Sequence, residues 1–277
     1  MFTLYVKAQQ DTDPFDKYGP PGEVYTNLKD ALKDANKVYK LKIENQPFDP
    51  KLLPKIGNLL QLQVLELNSN ELTQLPIEFK NLKNLVYFAS IGNALTSLPK
   101  DFGTIAELME LRLHSTKLDS LPSEIAYLGR LRTLEIQNNM ADTLHLPATI
   151  GYLSSLNSLL VFNTIMDTLP ASLGDLKKLK DLTLVMCGLK KIPSAVGKLS
   201  TLEQLTVDNN DIQELPAGIY KLKKLKYLSL KSNKLSHISD SVCLLKDLEV
   251  LDLRGNNFRK YDVEIMQALL PKCRILY

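Results

Sequence analysis

At 277 residues the chain is long enough to bury a sizeable core, in one large domain or two smaller ones. A formal net charge of +3 is too small to point to nucleic acid or an acidic membrane. Three distant cysteines (Cys187, Cys243, Cys273) exclude a disulfide-dense scaffold and give no clustered zinc spacing, and no apolar run approaches the roughly 20 residues that span a bilayer.

The chain opens on MFTLYVKAQQDTDP. Its short apolar stretch, residues 2–6, lacks the charged leader of a complete secretory signal. It looks like the tail of a bacterial signal cleaved after Ala8, and a ragged N-terminus fits the same letters equally well. Export would place the protein outside the cell or in the cell envelope; without it the location is cytoplasmic. Residues 1–24, with GPPGE near their end, read as a flexible lead-in. Next, Leu28, Ala31, Leu32 and Ala35 recur at helical spacing behind a candidate cap, Asn27, which predicts a cap helix over 25–37.

Residues 38–258 are repetitive. The prolines at 76, 99, 122, 147, 170, 193 and 216 are 23, 23, 25, 23, 23 and 23 residues apart, and one more step of 23 reaches Ser239. An L-x-L element begins at Leu41, Leu65, Phe88, Leu111, Leu134, Leu159, Leu182, Leu205, Leu228 and Leu251. Its alternation is that of a strand with one buried face. After each proline, apolar residues three apart (Phe79 and Leu82, Phe102 and Ile105, Ile125 and Leu128) suit a short 3₁₀ return. No single unit can bury its own leucines, so the units must stack around one continuous core.

These motifs resemble the leucine-rich-repeat family over about residues 38–277, and the 23-residue LPxxIxxLxxL form resembles its bacterial, Ras-group-like branch. The resemblance implies an α/β solenoid: a curved horseshoe with a concave parallel β-sheet and convex 3₁₀ or short-helix returns, capped at both ends. It also implies that asparagines at the sixth slot (Asn70, Asn93, Asn139, Asn210, Asn233, Asn256) stack into a ladder, with Thr116, Thr164 and Cys187 interrupting it. Each buried turn leaves backbone groups that an amide can satisfy.

Two units are irregular. The first carries FDPKLLP before its proline, and MADTLHLP at 140–147 is two residues longer than its relatives, which predicts a bulge at the rim. At the end of the chain, Val263, Ile265, Met266, Leu269 and Leu270 precede Pro271 and predict a C-terminal cap helix within 259–277. Residues 25–277 therefore read as a single domain.

Catalysis needs converging groups, and the spacing offers none: His114, His145 and His237 fall in different units. Asp208-Asn209-Asn210-Asp211 lacks the glycine and distal glutamate of a calcium loop. Lysines in 80–85, 175–180 and 220–226 occupy outward return positions, without the interleaved aromatics that would suggest nucleic acid. Neither a metal nor a cofactor is expected.

The strand register assigns the second, fourth and fifth slots, with the residue before the first leucine, to the open concave face. Most are polar. Leu160 and Phe162, with Val185 and Met186 on the next unit and Ile165 near the rim, are large and apolar. They predict a docking patch, with Ile91, His114, Gln137, Asp208, Lys231 and Arg254 in the same row around it. The expected function is a monomeric, non-enzymatic module that binds another protein or peptide. A glycan-binding or adhesion role is the alternative, although Tyr87, Phe162 and Tyr227 are too separated for a sugar platform.

Overall fold

A computed structural model describes residues 12–139 and 143–277. The secretory reading of residues 1–8 and the start of the long insertion lie outside the described residues.

Twelve parallel strands form one sheet in strict chain order. Ten come from the repeats: β2 (Lys40–Glu44), β3 (Val64–Asn68), β4 (Tyr87–Ile91), β5 (Glu110–Thr116), β6 (Thr133–Asn138), β7 (Ser158–Phe162), β8 (Asp181–Val185), β9 (Gln204–Thr206), β10 (Tyr227–Ser229) and β11 (Val250–Asp252). The register sets each leading leucine beside the next, as in Leu41 with Leu65 and Leu159 with Leu182. All ten leading residues are buried. Each return after a proline is a 3₁₀ turn of five residues, such as Ile77–Asn81 and Ala171–Asp175. Proline's fixed φ suits the residue that opens such a turn. Successive returns stack so closely that a Cβ on Gly103 would strike the Glu124 carbonyl. Phe79, Phe88 and Phe102 interlock in the core, with ring centroids 5.5 and 5.9 Å apart.

The asparagines work as expected at most units. Asn210 Oδ1 accepts from the amides of Cys187 (3.0 Å) and Leu189 (3.1 Å), while its Nδ2 donates to the Leu184 carbonyl (2.8 Å). Asn93 does the same for Asn70, Leu72 and Leu67. The sixth unit differs: Asn138, not Asn139, turns inward and donates to the Leu118 carbonyl. A register shift between His114 and Thr116 sets Thr116 opposite Asn138, so the inward slot moves by one residue. Cys187 is buried, its Sγ within 3.5 Å of two carbonyl oxygens, and burial pushes its thiol up to about 12, far from reactive.

Both ends of the sheet are extended by flanking chain. The N-terminal cap is not one helix over 25–37: β1 (Val24–Tyr25) pairs with β2, and a single α-turn (Leu28–Ala31) follows and tightens to 3₁₀ over Leu32–Lys37. The Asn27 side chain does cap it, accepting from the Asp30 amide. At the other end a helix, Lys260–Leu269, is followed by β12 (Arg274–Leu276), which pairs with β11. Among the described residues no helix is long and apolar enough to cross a membrane.

Residues 12–24 are not a featureless lead-in. Asp13 accepts from the Phe15 amide at the start of α1 (Pro14–Lys17), and this strap lies against the concave sheet before the chain reaches β1.

Candidate functional site

The concave face has two unlike halves. Under the strap, Phe15 is buried in a cluster with Val64, Tyr87 and Ala89, and Tyr18, Val24 and Ile91 pack around it. Burying Phe15 contributes roughly 1.5–3 kcal/mol. Tyr18 stacks on Tyr87 with centroids 6.3 Å apart. One buried carboxylate gathers the polar ends: Glu110 Oε1 accepts from Lys17 Nζ (2.5 Å) and Tyr18 Oη (2.6 Å), and Glu110 Oε2 lies 3.3 Å from Arg112. Burial alone would raise the Glu110 pKa, but the bonds from Lys17 and Tyr18 outweigh it and hold the group below its ordinary range. Lys40 donates to the Phe15 carbonyl, fixing the strap's backbone as well. Ile91, expected in the open row, is therefore partly covered by the chain itself.

The polar chain continues toward the middle of the face. Arg112 Nε lies 3.8 Å from Glu135, and His114 Nε2 lies 3.0 Å from the other oxygen of the same carboxylate. Burial raises the Glu135 pKa, but His114 and Arg112 together outweigh it and hold the group below its ordinary range. Gln137, next in the row, is half-buried.

Beyond β6 the apolar residues stand where the register sets them. Leu159 and Val161 are fully buried, while Leu160 and Phe162 are half-buried on the opposite side of the strand. Phe162 pairs with Val185 across the ladder. Val185 itself is buried, so it is a floor and not an exposed anchor. Ile165 is 39% exposed, and its carbonyl accepts from the Leu144 amide of the long insertion, which fixes the rim here.

Met186 is unusual. The fifth slot repeatedly takes left-handed backbone, with positive φ at Asn45, Ser69, Gly92, Asn163, Met186, Asn209, Ser232 and Gly255. Five of these eight are Gly or Asn, which adopt that conformation most cheaply; Ser69, Ser232 and Met186 each hold it at a cost of about 1–2 kcal/mol, and Met186 is the bulky apolar one among them.

Asp208 departs from its expected role in a polar surround. It is fully buried, and its Oδ1 accepts from Ser229 Oγ (2.6 Å) and the Lys231 amide (3.0 Å), so it serves the neighbouring strand. Desolvation pushes its carboxyl up to about 6, and Asp181, which accepts from Thr183, is raised likewise to about 6. Lys231 is half-buried. Arg254 is exposed and bound to Asp252, with Nε 2.9 Å from Oδ1. Among the described residues no group of three or more His, Cys, Asp or Glu could hold a metal ion.

The strap contacts escaped the sequence reading. A signal was present: Val64, Tyr87 and Ala89 are apolar at face positions, as Leu160 and Phe162 are.

The comparisons agree with this geometry. A model described as "Leucine-rich repeat region" matches residues 171–269, and one described as "Leucine Rich Repeat" matches residues 61–82. The fold is a leucine-rich-repeat solenoid. An internalin from Listeria monocytogenes superposes on 91% of the chain and 77% of its own, at TM-score 0.69 and 20% identity. The leucine-rich-repeat domain of the type III effector XopL covers 89% of the chain and 79% of its own, at TM-score 0.67 and 28% identity. A TDR receptor matches 80% of the chain at TM-score 0.54 and 25% identity, with the chain spanning 43% of it. No curated protein matches the sequence.

Proposed function

We propose that the protein is a non-enzymatic binding module that docks another protein or peptide on the C-terminal half of its concave face. Leu160, Phe162, Met186 and Ile165 would anchor the partner, and Gln137, Lys231 and Arg254 would border them. The observation that carries this reading is Met186. A bulky side chain held in left-handed backbone, beside a half-buried Phe162, has no role in the core and costs stability. Covering each such apolar side chain would contribute roughly 1.5–3 kcal/mol to a complex. The glycan alternative gains no aromatic platform from this geometry.

His114 meets an acid, Glu135, but that acid also pairs with Arg112 in a line of charges running from the strap. It reads as a structural ladder and not as a catalytic pair. The location we propose is outside the cell or in the cell envelope, which mass spectrometry of the natural N-terminus would test. The binding reading is tested by capture from the native organism with wild type and Phe162→Asp as paired baits. The expected result is a folded variant that loses a partner the wild type retains; equal capture by both overturns it.

A further inference from the structure

We propose that the concave wall of β3–β5 is a second recognition surface. Its ligand would be a peptide with an aromatic anchor, one spacer residue, then lysine and tyrosine, and residues 13–18 occupy it as a ligand built into the chain. The strap is held as a bound peptide would be. Its anchor, Phe15, enters an apolar cluster of Val64, Tyr87 and Ala89. Lys17 and Tyr18 converge on one carboxylate oxygen of Glu110. Its backbone is read by Lys40 through the Phe15 carbonyl. An aromatic anchor in an apolar pocket, flanked by charged contacts, is the usual core of a recognition site.

The occupant matches the wall in charge. Lys17 and Tyr18 both bond Glu110 Oε1 while Arg112 pairs with Oε2, so the wall offers an acidic acceptor beside an apolar pocket. The present occupant is also a small, separate element. It is one short turn with no core of its own, joined to β1 by residues 19–23, where Gly19 has a left-handed φ of +74°. An open cleft of about 330 Å³ lies beside it, lined by Phe15, Gly19, Pro21, Gly22 and Lys40. The run Glu110–Arg112–Glu135–His114 connects this wall to the middle of the face, so exchange of the strap for a partner would be continuous with the open half.

The test uses the full chain and a fluorescein-labelled peptide of residues 12–19, TDPFDKYG, followed by anisotropy. In wild type the tethered strap competes at an effective concentration on the order of millimolar, so the peptide should bind poorly. Phe15→Ala/Lys17→Ala in the protein should free the wall and tighten peptide binding by about tenfold or more. Glu110→Gln added to that variant, or Phe→Ala in the peptide, should each reverse the gain. Tyr127→Ser, an exposed change on a return segment, should leave it unchanged. A folded double variant that binds no better than wild type, or binding indifferent to the peptide's Phe, overturns the proposal and leaves the strap a fixed cap. Should the double variant fail to fold, hydrogen exchange of wild type decides. Amides of residues 15–18 exchanging well before those of β3–β5 are expected, and equal protection of both refutes it.

Discussion

The two halves of the concave face are built from the same repeat, yet they meet different fates. Over β3–β5 the apolar face residues Val64, Tyr87 and Ala89 are covered by the chain's own Phe15, and a buried carboxylate is neutralised by Lys17. Over β7–β8 Leu160 and Phe162 remain half-buried, and the neighbouring turn holds a methionine in a conformation that glycine or asparagine would adopt more cheaply. An apolar letter at a face position is therefore not by itself a docking site. What matters is whether the chain supplies its own cover.

The largest effect should be one that ignores the division. Asn210→Ala removes an acceptor for two buried amides and a donor to the Leu184 carbonyl. Each orphaned group costs about 1–3 kcal/mol, so a loss of about 3 kcal/mol or more is expected in urea unfolding. A comparable loss should follow Asn93→Ala in the other half, since the ladder is common to both.

Titration should separate the halves by sign. Glu110 is held below the ordinary carboxylate range, so its stabilisation is present at neutral pH and disappears as pH falls through that lowered value. Asp208 runs the other way. Folded, it keeps its proton to about pH 6, whereas its ordinary value is 3.8, so stability falls as pH rises between these values. Asp208→Asn should accordingly gain about 1–3 kcal/mol at pH 7.5 and little at pH 4, measured by thermal unfolding across pH. Glu110→Gln should lose stability at pH 7.5 and less at pH 4. Profiles of the same sign would erase the distinction.

A smaller gain is expected at the turn. Met186→Asn should relieve the left-handed strain and stabilise the fold by about 1 kcal/mol, while weakening partner capture. A variant that gains nothing would mean that the methionine is at ease there.

Much of this was legible in the letters. The 23-residue step and the L-x-L alternation fix the strands, the returns and the inward leucines, because burying one face of a parallel ribbon demands that pattern. They also set Leu160 and Phe162 on the side opposite Leu159 and Val161. The strap was not legible, because DPFDKYGPPG has the proline and glycine content of a loose segment and its partners lie up to 93 residues away. Asn138 replaced Asn139 in the ladder because a backbone irregularity, invisible to spacing, moved the inward slot. Asp208 looked like a surface charge because register gives direction but not depth. The flanking strand β1 was missed since two residues carry no readable alternation.

The most direct measurement is a pair of melts, Phe15→Asp beside Phe162→Asp. If the chain fills one half of its concave face and leaves the other for a partner, Phe15→Asp should lower Tm by about 6–12 °C and Phe162→Asp by no more than about 3 °C. Equal losses, or a larger loss at Phe162, would mean that Phe162 belongs to the core and that the two halves do not differ in this way.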